Sequence, residues 1–570
     1  MREILIINLT RMGDLLQTTP LMAGLKTTYP GCRITILVNS AFTEVCRGIP
    51  YFDNLIEFDM KGYLHGLLEK RNSLVENYKL LDNLVNTINE KEYDIAINVT
   101  HSAVSAILVS LIRTNEIRGF TISSEGHRII KHPWARYFFN VIPNRNYNPF
   151  HIVDMYLKIG NVRPVTRSLV YHISPQDEEK SEQILAEEGL SNEVLVGFHL
   201  GASKDDKTWP VSSYAKLANL IYRQTGTRIL LFGTQAEASL ASEFETYAET
   251  RAVNLVGRTG LGELAALLKR CSLFISNDTG PLHIATSAGT TVIDISMANV
   301  HFMETGPFGA GHFVIQADLP CSPCGFDVMC NNRVCTSLVT PEKVFEIVKM
   351  ALNKTDTEPG LHGEIMDQVQ VYRSHFKEDG HLGFIPLIKR SLEVNVIYRM
   401  VYRQVLNSES NKIDSRLKNI CECIFNDIAA SYQVESIRKC LDVIRNDLEI
   451  LNNFISLTGN ALRQLGVLHG VSRQDITNIK LIKEIWREIE QFEHEIGLIG
   501  DTHQCFKPLT LLVDYSKEAL EGDDLEILVQ KYIDVYADLL IKAENMQTII
   551  SRISTILSVQ TEKNKLAMMS

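Results

Sequence analysis

Four turns in this sequence put polar residues directly after apolar runs, where an open parallel sheet presents its ligand-binding loops. The first is Asn8-Leu9-Thr10-Arg11-Met12-Gly13-Asp14. Gly13 permits a sharp turn. Asp14 can either accept a proton from a reacting hydroxyl or cap the helical pattern over 15–29. The turn lacks the G-x-G-x-x-G spacing that lets a backbone close on a dinucleotide pyrophosphate, which argues against nicotinamide chemistry. The second turn is Ser276-Asn277-Asp278-Thr279-Gly280-Pro281-Leu282-His283. Thr279 can cap a helix there, Gly280 lets a ligand approach the main chain, and Pro281 suits an early helical position. The N–H groups of such a helix start bind phosphate oxygens. His283, one turn on, either faces the same ligand or is a satisfied core histidine. The third turn is Lys204-Asp205-Asp206-Lys207-Thr208-Trp209-Pro210. Lys207 offers a point charge for phosphate and Trp209 a rigid aromatic wall, although a solvated loop has the same composition. In the fourth, Phe232-Gly233-Thr234-Gln235-Ala236-Glu237, the glutamate can accept ribose hydroxyls or simply begin a helix.

Two further clusters carry chemistry. Cys321, Cys324, Cys330 and Cys335 include a C-x₂-C pair, a spacing that suits a tetrahedral metal site in a reducing compartment, or else a loop of free or redox-active thiols. Between residues 113 and 145, Arg113, Arg118, Arg128, Lys131, Arg136 and Arg145 face only Glu116 and Glu125, with Trp134, Tyr137, Phe138 and Phe139 interleaved. Such a strip can receive a phosphorylated lipid sugar or lie on an anionic bilayer. Equally, it can be a solvated helix with an aromatic core face.

The elements that must position these residues fall into two halves. Apolar runs at 4–8, 33–38, 95–99, 194–199, 228–232, 273–276 and 291–295 read as buried strands. Helical patterns at 15–29, 212–225 and 261–269 lie between them, so the front half is built of βαβ units around parallel sheets. About 350 residues exceed one such sheet, and a turn-rich stretch at 174–192 is the expected hinge between two doubly wound domains, 1–175 and 190–352. From 365 to 570 apolar residues recur three and four apart over 382–406, 413–430, 434–465, 475–499, 508–519 and 524–560. Short breaks at 407–411, 466–472, 498–502 and 521–524 predict a helical bundle. Proline and glycine thin out in this half, as long helices require, and a polar boundary is expected at 353–364.

The chain has 570 residues, 45% apolar and 22% charged, which is globular in proportion and predicts about three or four domains. Its net charge is −11, so there is no general basic footprint for nucleic acid. Residues 1–10 run into an apolar strand with no signal-peptide pattern, and no run approaches the ~20 apolar residues of a membrane span. A soluble protein of a reducing compartment is expected.

Taken in order, Arg11-Met12-Gly13-Asp14, Lys207-Thr208-Trp209-Pro210 and Asn277-Asp278-Thr279-Gly280-Pro281-Leu282-His283 resemble glycosyltransferase family 9, the ADP-heptose:lipopolysaccharide heptosyltransferases, over about residues 1–350. The resemblance implies a GT-B fold, with two Rossmann-like domains facing a cleft, acceptor-facing first and nucleotide-facing second. It implies inverting transfer that needs no metal or other cofactor. The donor would be an ADP-heptose-like nucleotide sugar and the acceptor a lipid-linked or protein-linked glycan. By the same carry-over, Asp14 is the general base, and Lys207 with the main chain at Thr279 and Gly280 holds the donor phosphates. Asp278 and His283 line the donor sugar, and Glu237 and Thr259 contact the nucleoside. Gly13, Arg128, Lys131 and Arg136 fall on the acceptor side. The implied location is cytoplasmic, peripheral at the inner face of the inner membrane. The helical half departs from the family pattern and is free to mediate oligomerisation or bind a protein. Two other readings share the architecture: a nucleotide-sugar epimerase, and a non-catalytic nucleotide-binding scaffold with a helical interaction domain. The Asp14 and Lys207 motifs favour transfer over both.

Overall fold

A computed structural model describes residues 1–63, 73–250, 252–326, 328, 330–353, 366–408, 413–474, 477–522 and 524–569. Its contacts divide into two compact units: Met1–Arg118 with Phe150–Ile388, and Gly119–Pro149 with Lys389–Ser570.

The first unit holds the two sheets. Strands β1 (Glu3–Asn8), β2 (Arg33–Asn39), β3 (Asn54–Phe58), β4 (Tyr93–Asn98) and β5 (Thr114–Ile122) lie in the order β3-β2-β1-β4-β5, and residues 119–122 of β5, in the second unit, pair antiparallel with β6 (Arg128–Lys131). Pairing of β1 with β2 and β4, and of β2 with β3, is parallel. The second sheet contains β7 (Leu195–His199), β8 (Arg228–Phe232), β9 (Val253–Asn254), β10 (Leu273–Asn277), β11 (Val292–Ser296) and β12 (Phe313–Ala317), ordered β12-β11-β10-β7-β8-β9. Both are doubly wound, and in each the direction of winding reverses beside the first strand, between β1 and β4 and between β7 and β10. Crevices at the carboxyl ends of these strands are the ligand sites of such sheets. Strands buried on both faces explain the unbroken apolar runs: all five residues of β7 and of β11 are buried, with Ile293 and Ile295 packing in the main core of the second sheet.

Four sequence expectations change. The stretch 174–192, read as a turn-rich hinge, holds the helix Pro175–Glu187, started by Ser174, whose Oγ accepts the Asp177 N–H at 3.1 Å. Only Ser181 and Leu185 of this helix are buried, so it carries almost no apolar period to read. The helical pattern over 382–406 splits. Strands β13 (Val369–Phe376) and β14 (Leu382–Pro386) form an antiparallel hairpin on β12, and the helix begins only at Val394. Buried Asp154 holds that hairpin, accepting the Leu382 N–H at 3.1 Å and lying 3.3 Å from His381 Nδ1. The predicted break at 466–472 is helix, since Val434–Gln474 runs straight through. Leu465 and Leu468 are fully buried there, and tertiary packing outweighs the roughly 1 kcal/mol that each glycine costs a helix. Likewise Ile479–Thr502 covers the break expected at 498–502. Of the expected boundary, residues 354–364 lie outside those described.

In the second unit the long helices Val434–Gln474, Ile479–Thr502 and Leu525–Met569 pack together with the shorter Lys507–Glu518. Residues 119–149 complete it, and the basic strip proves to be neither a free cationic face nor a solvated helix. Lys131 Nζ lies 2.9 Å from Glu521, and Arg136 Nη1 donates to Ser516 Oγ at 3.3 Å. Arg128 sits 5.7 Å from the rings of both Phe120 and Tyr515. Asn140 Nδ2 donates to Pro508 O at 2.8 Å. The helices therefore hold these residues through an ion pair, hydrogen bonds and a ring contact.

In the first unit Arg118 is buried, at 4% exposure, and pairs through two nitrogens with Glu116. Its third nitrogen donates to the Ile159 and Gly160 carbonyls at the end of the helix Ile152–Ile159. Arg118→Met is expected to lower stability by about 2 kcal/mol by leaving those carbonyls unpaired, read as a drop in the thermal midpoint.

Candidate active site

The turns after β1, β7 and β10 all lie at the two points where winding reverses. One buried side chain organises the second pair. Asn277, the last residue of β10, donates from Nδ2 to the Leu200 and Gly201 carbonyls at 3.1 and 3.0 Å and accepts the Trp209 N–H at 2.9 Å. It thereby ties both ends of the loop 200–209, which carries Lys207, to the start of the helix Gly280–Ser287. Trp209, expected as an aromatic wall for a ligand, is instead fully buried. Its indole N–H donates to Val339 O at 2.8 Å and its ring packs on Tyr214. It anchors the Lys207 loop from behind. Arg333 braces the same loop from its other side, donating to the Thr208 carbonyl at 2.6 Å.

Thr279 does not cap its helix. Its hydroxyl turns back to the Asn277 carbonyl at 3.3 Å and to Ser276 Oγ at 3.2 Å. Pro281 has no N–H and the Leu282 N–H goes to the Thr279 carbonyl at 3.1 Å, so the main chain at Thr279 and Gly280 is what this helix start offers an anion. This helix start meets the start of the front helix Met12–Gln17. A Cβ on Gly13 would stand 2.6 Å from His283 Cδ2, and one on Gly280 would overlap the Met12 methyl. Gly13 is required on its side, because it faces a buried ring, whereas the Met12 methyl opposite Gly280 is a side-chain end that can swing aside.

Asp14 lies at that junction, half-buried. Its Oδ2 accepts the Arg11 N–H at 3.2 Å, the Thr10 hydroxyl also reaches it, and Arg11 and Lys207 are both within electrostatic range. Burial outweighs these and raises its pKa above the usual carboxylate range, which makes it a better proton acceptor. The structure thus brings Asp14 and Lys207, 193 positions apart in the chain, to one place. His283 is pushed down to about 3 by burial and by nearby His151, so at neutral pH it is an uncharged imidazole. It stands 4.0 Å from Asp278. Positive potential here comes from Lys207, Arg11 and the helix start.

Glu237 and Thr259 sit on neighbouring loops, joined by the Gly257 N–H to the Gly233 carbonyl at 2.9 Å. Glu237 caps Thr234 through its N–H and hydroxyl and lies 3.3 Å from His199 Nε2. Burial pushes its pKa up, but these partners more than offset that and hold it near about 2, so it stays an acceptor for hydroxyl donors.

Comparison with known proteins matches residues 82–332 to the model of glycosyltransferase family 9 (heptosyltransferase). Over this stretch the chain is similar to the family 9 glycosyltransferases. Lipopolysaccharide heptosyltransferase 3 of Escherichia coli is 23% identical over 291 residues, 51% of this chain and 82% of that protein. Lipooligosaccharide heptosyltransferase 2 of Haemophilus influenzae is 26% identical over 297 residues, again 51% and 82%. The solved family 9 glycosyltransferase from Veillonella parvula shares the fold at a TM-score of 0.51 and 23% identity, covering 62% of this chain and 98% of that one.

Within the first unit, three residues beside the site were given no role in the sequence reading. Asn277 and Arg333 act through backbone carbonyls, which no spacing reveals. Asp294, fully buried on β11 beside Ser276, was legible as the one carboxylate in an apolar strand. Burial, then nearby Asp278, push its pKa well up. The candidate acceptor-side residues separate: Gly13 is at the helix junction, while Arg128, Lys131 and Arg136 belong to the second unit and contact its helices. The candidate metal ligands Cys321, Cys324, Cys330 and Cys335 are free thiols, two of them exposed. Among the described residues no three His, Cys, Asp or Glu side chains gather as metal ligands.

Asn277→Ala should cost about 3 kcal/mol by orphaning two carbonyls and one N–H, and should raise amide exchange across 200–209 selectively. Exchange unchanged in that loop would show that Asn277 does not hold it.

Proposed function

We propose that the family 9 module transfers a heptose from an ADP-heptose-like donor to a lipopolysaccharide-core or other lipid- or protein-linked glycan, with inversion and without a metal ion. The observation that carries this is that Asp14, at the junction of two helix starts, lies within electrostatic range of Lys207. Asp14 takes the proton from the acceptor hydroxyl, whose oxygen forms the new bond to the anomeric carbon. The bond from that carbon to the donor diphosphate breaks, and the electron pair leaves with the diphosphate. Lys207 and the Thr279–Gly280 amides receive the developing negative charge. Asp278 and His283 line the sugar, and Glu237 and Thr259 contact the nucleoside. The heptosyltransferase names of the relatives support the choice of sugar and acceptor. Among the described residues no helix is long and apolar enough to cross a membrane. Access to a lipid-linked acceptor would then be peripheral, from the cytoplasmic face of the inner membrane.

Screening ADP-, UDP-, GDP- and CMP-sugars by thermal shift, then assaying donor hydrolysis and transfer, tests the reading. ADP-heptose should give the largest shift, and no shift with any of the four would remove it. Asp14→Asn should lower kcat roughly 10²–10⁴-fold while nucleotide affinity stays within about twofold. Because the deprotonated carboxylate is the active form and its pKa is raised, the acid limb of kcat against pH should lie above the ordinary aspartate range. It should vanish in Asp14→Asn.

A further inference from the structure

Arg11 takes no part in the transfer described above, yet it is the charged residue nearest the base in the chain and stands opposite the phosphate loop. It follows β1 with extended backbone (φ −113°, ψ 167°) and begins the front helix. Its backbone N–H, not its guanidinium, holds Asp14. The guanidinium is exposed and donates from Nη1 to Ser203 Oγ at 3.5 Å, the long end of a hydrogen bond, and to a neutral partner. Ser203 lies in the loop of Lys207, four positions before it. Arg11 and Lys207, one from each sheet, both act on the Asp14 carboxylate.

A departing nucleoside diphosphate carries more than one negative charge. Opposite it stand one ammonium and a helix start worth roughly half a charge, which leaves the excess uncompensated. A guanidinium presents paired N–H groups that match phosphate oxygens, and it gives up little in leaving a long bond to a hydroxyl.

We propose that Arg11 is a second cation for the donor diphosphate, supplied from the acceptor-side sheet and exchanged from Ser203 onto the phosphates when donor binds. This rests on the transfer reading above. Because Arg11 immediately precedes the helix that carries Asp14, the group that stabilises the leaving diphosphate and the group that activates the acceptor arrive together. A donor bound by the second sheet alone lacks both, which limits its loss to water.

Isothermal titration of the full chain with ADP and AMP tests this in wild type, Arg11→Ala, Arg11→Lys and Ser203→Ala. Arg11→Ala should weaken ADP at least tenfold and leave AMP within about twofold, with Arg11→Lys recovering part of the loss. Ser203→Ala, which removes only the resting partner, should leave ADP binding unchanged or tighter. Equal ADP affinity in wild type and Arg11→Ala, with only the acid limb of the rate displaced, overturns the proposal and makes Arg11 a tuner of Asp14. A loss of ADP affinity in Ser203→Ala overturns the exchange. Failure of wild type to bind ADP overturns the proposal together with an adenine-nucleotide donor, an outcome distinct from a silent Arg11 variant.

Discussion

The site depends on one steric constraint: two helix starts from two different sheets approach so closely that a β-carbon on Gly13 would collide with the buried His283 ring. Gly13 lies against the His283 ring and Gly280 against the Met12 methyl. That approach alone puts a carboxylate from the first sheet into the field of an ammonium from the second. It also explains why Asp14 is raised and not lowered despite two nearby cations. The junction removes water from the carboxylate more effectively than Arg11 and Lys207 restore favourable charge.

Around the junction, most of the rigidity is built with neutral groups. The Lys207 loop is held at its ends by an amide, Asn277, and from behind by the buried indole of Trp209, with the Arg333 guanidinium as the charged exception. Glu237 is fixed by a cap and an imidazole. Asp294 lies beneath, its acidity suppressed by burial. Fixed dipoles and a small number of cations suit chemistry in which negative charge moves from one atom to another, since little has to reorient during the step.

Much of this was legible in the sequence because parallel strands buried on both faces write themselves as apolar runs, and the polar turns after them stand out. The strand runs at 4–8, 228–232 and 273–276 fall within a residue of the observed elements, and Asp14, Lys207 and the Asp278–His283 turn were found by position after strands. What escaped reading did so for identifiable reasons. The helix Pro175–Glu187 buries too few side chains to show a period. Strand β14 was hidden because it was read as the start of the helical pattern over 382–406, and β13 fell in a stretch to which no element was assigned. Trp209 was misplaced because an aromatic beside a ligand loop has the same composition whether it faces the ligand or supports the loop from the core. The basic strip at 113–145 read as a possible ligand surface because its partners lie far along the chain.

That separation has a consequence for how the molecule is made. Lys131 and Glu521 are 390 positions apart, and Asn140 and Pro508 are 368. A ribosome extending the chain from its first residue exposes the aromatic, cationic insert long before the acidic helices that cover it exist. Through that interval the insert must either be shielded by chaperones or wait as a sticky surface, so assembly of the second unit is a late event.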